Sequence, residues 1–465
     1  MILTQKYPLI NVIRNALESI YLVPIMFLIG SICWWFSLSL VSVAVFAGVA
    51  VLIFLFCKNV NNFFALLFYV SFFIKNIYVG NTNWIGYIVS IAIAVVFIFA
   101  FAIKMMITEK ISLKNSKMAI AIIVSSVAFL LGGVIGRFDI LVFAITLGFS
   151  IATFVIYLIA RHRTYDLAKY FAKLFIIGGL FLIINILAHR LSLTGSIFIG
   201  KPQGELFFFS SQTLNTASIY IMLAIVGCYF FGAGKKWDVL WFVFSILFYG
   251  GVVLTSCRAA ILVASLVIVT VFVLFIIQSK RKLNFLYLAL ALVLCLGIGL
   301  IVFRDQVGKL IAMIVEKLNS GLNGRDALWP WCIEMFKKYP VFGFGFVADG
   351  PVPSLSHDTA VVLAHNTPLQ WLTSLGIIGT LMMCYFYFVK YKIVFKGVTF
   401  NKCFLIISIL AMELIGMFDQ TPSMDIFMYI LAVVLVASCE TTKKQFNKVK
   451  TYKKVVWKTP LHIKK

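Results

Sequence analysis

Charged residues are scarce in this sequence: Asp, Glu, Lys and Arg make up 12% of 465 residues, about half the share of a soluble domain. That scarcity excludes a water-soluble globule, because 62% of the chain is hydrophobic and one core cannot hide it. No C-x-x-C pair is present and the nine cysteines have no metal-ligand spacing, which speaks against a zinc site or a disulfide scaffold. Most lie in apolar runs (Cys33, Cys57, Cys228, Cys295, Cys384, Cys403) and are expected as buried thiols. Only Cys257 and Cys332 lie where a disulfide would be permitted. The long hydrophilic segments contain no D-x-D, no His/Asp cluster with metal-ligand spacing and no G-x-S-x-G, so neither a metal centre nor a serine nucleophile elbow is expected. No small-residue cleavage site follows the basic start at Lys6 and Arg14, which reads as an uncleaved signal anchor. No internal repeat relates the two halves.

What is abundant is apolar sequence in lengths that suit a bilayer. A spanning helix needs about 20 apolar residues. Such runs are centred on 20–37, 40–57, 62–79, 84–103, 118–135, 138–160, 169–188, 214–231, 238–254, 259–278, 283–303, 367–389, 402–418 and 424–439. The expected fold is all-α, a polytopic transmembrane bundle of about 12–14 helices with one large extracytoplasmic loop. Forty-six Phe and nine Trp suit side chains that face acyl chains and interfaces.

The net charge of +24 sits in short clusters between apolar runs rather than on one stripe, so it reads as topology and not as a nucleic-acid surface. With the N-terminus inside, about 29 of the 40 basic residues fall in inner loops and about 11 outside, while the 16 acids divide about 5 to 11. The inner clusters include Lys58, Lys104 to Lys117, Arg161 to Lys173, Lys235 and Lys236, Lys280 to Lys282, Lys390 to Lys402, and the tail from Lys443. Both termini are therefore expected in the cytoplasm. The chain divides into N-terminal membrane helices (1–303), a large outer loop (304–366), C-terminal membrane helices (367–439) and a basic tail (440–465) that anchors to lipid.

Function concentrates in long loops. Residues 189–213 form one such outer segment. The larger one opens with an apolar stripe, Val307, Leu310, Ile311, Ile314, Val315 and Leu318, which predicts an amphipathic helix on the membrane surface. A second short helix is expected over 326–338, with Trp329, Cys332, Ile333 and Phe336 on one face. The glycine-hinged V-F-G-F-G-F of Val341 to Phe346 follows.

Six residues are candidates for chemistry, two of them as a competing pair. Arg258, in T-S-C-R-A-A, stands at the outer junction of two apolar runs, where a buried guanidinium needs water or an anionic partner. Arg325, in N-G-R-D-A-L-W, follows a flexible Gly324. Headgroup snorkelling and an ion pair with Asp326 are their ordinary roles. If the two converge, two forked guanidiniums suit a diphosphate. His365, in A-H-N-T-P, sits at the mouth of a membrane helix capped by Asn366 or Thr367, and a neutral imidazole is the usual general base. His357 and Asp358 form a competing acid/base pair. Glu413, inside the run 402–418, is expected to pair with an outward Arg.

The ordered series T-S-C-R-A-A, G-R-D-A-L-W, Y-P-V-F-G-F-G-F and A-H-N-T-P-L-Q-W-L-T-S-L-G-I-I-G resembles the bacterial O-antigen ligase and O-antigen polymerase superfamily over roughly residues 205–390. The resemblance implies a multi-pass protein of the bacterial cytoplasmic (inner) membrane. It would transfer glycan from an undecaprenyl-diphosphate carrier to an acceptor sugar hydroxyl at the outer face, without metal or nucleotide sugar. Its partners would be the lipid-linked glycan, the acceptor glycan, membrane lipid and other polysaccharide-assembly proteins. Carried over, Arg258 and Arg325 match the diphosphate-binding arginines and His365 the proposed base, with Asn366 and Glu413 in support; the transfer would invert the anomeric carbon. Cys257 before the Arg, and Thr367-Pro368 where an aromatic commonly follows H-N, depart from the pattern at positions that bear on the acceptor. Polymerisation of repeat units is the reading taken forward. Ligation of a finished chain to an acceptor such as lipid A core, a lipid-linked oligosaccharide flippase, and a non-catalytic scaffold are the alternatives. A flippase predicts repeats and a midplane site instead.

Overall fold

The computed structural model describes residues 8–73, 103, 116–136, 138–194, 214–302, 304, 305, 308, 312, 324–348, 352, 362, 364–418 and 426–440. All but the last residue of the expected helix over 84–103, the stripe residues Val307, Leu310, Ile311, Ile314, Val315 and Leu318, His357 and Asp358, most of segment 189–213 and the tail from Lys443 lie outside those residues.

The described residues form an all-helical bundle. In chain order the helices are α1 (Pro8–Glu18), α2 (Leu22–Trp35), α3 (Ser39–Phe56), α4 (Asn61–Tyr69), α5 (Lys117–Val134), α6 (Ile140–His162), α7 (Leu167–Thr194), α8 (Leu214–Gly232), α9 (Asp238–Leu254), α10 (Arg258–Gln278), α11 (Lys282–Val302), α12 (Arg325–Lys338), α13 (Thr367–Phe395), α14 (Phe400–Gly416) and α15 (Ile426–Ala437). A 3₁₀ turn, Val70–Phe73, continues α4. Helices α5, α6, α7, α8, α10 and α13 each hold a stretch long and apolar enough to cross a bilayer. Shorter apolar helices occupy other expected spans, among them Leu40–Phe56, Asp238–Leu254 and Phe427–Ala437.

The apolar periodicity begins earlier than the first expected span. Leu9, Ile13 and Leu17 fall on one side of α1 and Asn11, Asn15 and Glu18 on the other, and the helix turns by 78° into α2. That amphipathic pattern suits an interfacial helix. The apolar run over 20–56 breaks at Ser37, whose φ of +59° no helix accommodates, so α2 and α3 are separate helices.

Packing centres on α8. Nearly all its residues are buried, and it touches α7, α9, α10 and α14. Small residues let the backbones approach: Gly179 of α7 faces Ala224, and Gly227 faces the Ala172 carbonyl. A second group packs α13 on α5, α5 on α6, and α15 on α6. Helix α14 contacts α7, α8 and α10 of the first group and α13 and α15 of the second, so it joins them.

Helix α13 is not continuous. At Gly376 the backbone turns to φ +63°, ψ −164°, separating a short arm (367–375) from a long one. A break inside a membrane protein is tolerated where other protein groups satisfy the freed backbone. The V-F-G-F-G-F segment does this. Phe344 N donates to Thr373 O (2.7 Å), Gly345 N to Ser374 O (3.1 Å), Ile377 N to Pro340 O (2.9 Å) and Ile378 N to Val341 O (3.1 Å). Phe346 N then reaches Gly132 O at the end of α5 (3.0 Å). Gly345 has φ +91°, and a Cβ there would collide with the Ile135 carbonyl. The sequence-predicted hinge is thus a plug that fills a helix break.

The expected face of the second loop helix is rotated. In α12 the buried side chains are Leu328 and Cys332, which pack with Ala348, Val352, Val362 and Ala364 in a small core of their own. Ile333 is exposed and Phe336 half-buried, because α12 leans on α13 through the Leu328 edge.

Candidate functional site

The C-terminal end of α14 organises the site. A helix ends with carbonyls that have no partner inside the helix, and they form the negative end of its dipole. Here the Gly416 carbonyl that ends α14 and the two carbonyls of the turn directly after it accept from three different side chains: Gly416 O from Thr367 Oγ1 (2.9 Å), Met417 O from Asn366 Nδ2 (3.0 Å) and Phe418 O from Arg325 Nη1 (2.5 Å). Arg325 is the first residue of α12 and follows Gly324 at φ +78°. Asn366 is the N-cap of α13, and its Oδ1 accepts from Leu369 N at 3.0 Å. Two sequence-predicted residues, Arg325 and Asn366, are therefore brought to one helix end, with His365 next to Asn366 in the chain.

His365 is half-buried and has φ +49°, a left-handed conformation unusual for a residue with a Cβ. Backbone strain of this kind persists only when the surroundings hold it. They do so from both sides. Ala364 N donates to Gln370 Oε1 (2.7 Å) and Ala364 O accepts from Trp329 Nε1 (2.9 Å), while Gln370 Nε2 also donates to Val362 O (3.1 Å). Gln370 is almost fully buried, so its amide is a fixed bracket for the backbone at Ala364, next to His365.

Arg258 begins α10 and is half-buried. The turn before it is strained at Ser256, φ +57°. Arg190, at the end of α7, holds that turn: its Nη2 donates to Leu254 O (2.5 Å) and to Ser256 Oγ (3.1 Å). Helix α10 packs on α14. The Tyr229 ring touches both Phe275, near the end of α10, and Phe400, the first residue of α14, so the two helices run opposite ways and Arg258 opens α10 toward the end where α14 closes. Sequence reading passed over Arg190. The signal was the same as for Arg258, an arginine placed at the end of an apolar run against the positive-inside bias.

Glu413 lies on α14, one turn before Gly416. Its partner is not an arginine. Lys390 Nζ binds Glu413 Oε1 at 2.5 Å, and Lys390 is 1% exposed. The sequence reading assigned Lys390 to an inner loop; α13 instead continues to Phe395 and carries it inside the bundle. Cys257 and Cys332 are both buried, and no disulfide joins them. Burial pushes the Cys332 thiol up to about 11, with Thr373 opposing part of that shift. Among the described residues no group of His, Cys, Asp and Glu is placed to hold a metal ion.

Residues 242–384 match the family model described as O-antigen ligase. The chain carries a domain of the O-antigen ligase and polymerase superfamily. The matched stretch runs from α9 into α13 and includes Arg258, Arg325, His365 and Asn366, whereas Arg190, Lys390 and all of α14 lie outside it. No curated protein matches the chain.

Proposed function

We propose that this protein transfers glycan from an undecaprenyl-diphosphate-linked donor to an acceptor sugar hydroxyl at the extracytoplasmic face of the bacterial cytoplasmic membrane, as a surface polysaccharide polymerase. The observation that carries the reading is the gathering of Arg325, Asn366 and Thr367 on the carbonyls at and just past the end of α14, with the strained His365 beside them and Arg258 opening the helix packed on α14.

The chemistry asks little of the protein beyond charge and one proton. Diphosphate is a competent leaving group, so catalysis consists of stabilising its growing charge and activating the acceptor. Arg258 and Arg325 meet the diphosphate oxygens. A guanidinium has five donors, and the bond to Phe418 uses one of them to fix the plane of the fork. His365 accepts the proton of the acceptor hydroxyl as its oxygen forms the bond to the anomeric carbon. The carbon–oxygen bond to the diphosphate breaks, the carrier leaves with the electron pair, and the configuration inverts. Membrane lipid and other polysaccharide-assembly proteins complete the setting, and both termini lie in the cytoplasm.

A second reading, ligation of a finished chain to another acceptor, is favoured by the description of the matching family. Cells lacking the protein, restored separately with wild type and His365→Ala, separate the two. Accumulated single repeat units on the carrier that only wild type clears mean a polymerase, and accumulated long carrier-linked chains mean a ligase. Intermediates held at the cytoplasmic face and cleared by His365→Ala would refute enzymatic transfer in favour of a flippase.

A further inference from the structure

The Lys390–Glu413 pair is a charge pair inside a membrane bundle, and the proposed transfer chemistry does not use it. Lys390 is 1% and Glu413 13% exposed. The ammonium lies 3.4 Å from the centroid of the Tyr387 ring, with Phe386 and Tyr391 at 5.6 and 5.0 Å. Intramembrane ionisable residues are costly and are usually retained for a function. Replacing a buried ion pair by apolar residues of similar volume is often neutral for stability, so stability alone does not explain one.

Its position explains it. Helix α14 is attached to both arms of the broken α13. Thr367 and Asn366 tie the short arm to the end of α14, and Lys390 ties the long arm to Glu413, one turn earlier. The two attachments bracket the break at Gly376. A bracket of this kind fixes the rotation and height of α14 against α13, and hence the distance between the Arg325 held by α14 and the His365 that precedes α13. Apolar packing between two membrane helices leaves sliding and rotation less restricted than one short, directional ionic bond does.

We infer that Lys390 and Glu413 are positioning residues for glycan transfer, which set the register of α14 against α13 so that Arg325 and His365 address the same substrate. This rests on the transferase reading above.

The test uses full-length protein in proteoliposomes, with undecaprenyl-diphosphate-linked oligosaccharide extracted from cells lacking the protein. The decisive variant is the apolar double replacement Lys390→Met with Glu413→Leu. It is expected to keep thermal stability close to wild type while kcat falls about tenfold or more and KM stays within about twofold, because register rather than binding is lost. The charge-swapped pair Lys390→Glu with Glu413→Lys is expected to restore kcat to within about threefold. Wild-type kcat in the apolar pair overturns the inference. If that pair fails to insert, the swapped pair decides: recovery supports the inference, and a tenfold loss at wild-type stability overturns it. Arg325→Ala and His365→Ala run alongside. Wild-type rates in both remove the transferase reading, and the inference falls with it; loss in both, with a fully active apolar pair, removes the inference alone.

Discussion

Arg325 Nη1 lies 2.5 Å from the Phe418 carbonyl oxygen, so a proposed diphosphate-binding cation is held by the turn that directly follows the C-terminal, negative end of α14, 93 residues away in the chain. A helix C-terminus favours a cation and fixes its plane, which orients the fork before any anion arrives. Arg325→Ala is expected to lower transfer about 10²-fold with normal membrane insertion. Arg325→Lys should recover little, because an ammonium cannot hold the carbonyl and present a planar fork at once. Initial rates on lipid-linked donor check both; equal rates for Lys and Arg would show that charge alone suffices.

Arg190 supports the other arginine from behind. Its guanidinium spans Leu254 O and Ser256 Oγ across the turn that sets Arg258. Arg190→Ala leaves the partly buried Leu254 carbonyl without its charged donor and should destabilise the protein by about 1–3 kcal/mol. Ser256→Gly should relieve the left-handed strain at φ +57°, so the same background carrying Ser256→Gly is expected to regain part of the loss. Denaturant unfolding followed by tryptophan fluorescence checks the order wild type, double variant, Arg190→Ala.

The plug in α13 makes a sharper structural demand. A Cβ at Gly345 meets the Ile135 carbonyl and one at Gly376 meets backbone of residues 341 and 343, with positive φ at both. Gly345→Ala and Gly376→Ala should each cost at least about 2 kcal/mol and reduce the amount of folded protein in the membrane. Gly250→Ala, at a glycine with open space around it, serves as the control.

Much of the helix pattern is legible in the sequence because membrane spans announce themselves by length and composition. The break at Ser37, the turn before Arg258 and the cap at Asn366 all fall where charge and capping residues place them. What the sequence hides is long-range pairing. Glu413 read as an acid waiting for an outward arginine, but the extent of α13 decided otherwise, since six more residues of helix carry Lys390 into the bundle. The face of α12 was misassigned for a related reason: its burial is set by the small core around Ala348 and Ala364, whose residues lie far along the chain. Arg190 was missed because its role lies in a turn contributed by another helix. The role of α14 as an anchor is invisible in its own apolar sequence, because the groups that do the work are backbone carbonyls.

Cys332 offers a test of the loop core. Its folded value is raised to about 11, so the stabilising preference for the neutral thiol is full below the ordinary thiol range and is lost as pH rises toward 11. Alkylation by a small maleimide at pH 7.5 is expected to spare Cys332 in the native protein and to label it after denaturation, read by peptide mass spectrometry. Labelling at a comparable rate in both states would mean that the core formed with Leu328, Val362 and Ala364 is open in solution.

Gln370 connects packing to the proposed chemistry most directly. Its carbonyl oxygen accepts from Ala364 N, and its amide nitrogen donates to Val362 O and to Ser374 Oγ (2.7 Å), so one buried side chain aligns the backbone at Val362 and Ala364, before His365, with the arm of α13 that follows it. Gln370→Ala strands a buried N–H, costing about 1–3 kcal/mol, and frees His365 to leave its left-handed conformation. A misplacement of about 1 Å lowers rates up to about 10²-fold, so kcat should fall with KM little changed. Gln370→Glu keeps an acceptor for Ala364 N but loses the donors, and should fall between Ala and wild type. Trp329→Phe, which removes only the indole donor to Ala364 O, should act in the same direction more weakly. A Gln370→Ala enzyme with full kcat would mean that the Asn366 cap alone holds His365 in place, and the bracket around Ala364 would then serve the loop rather than the reaction.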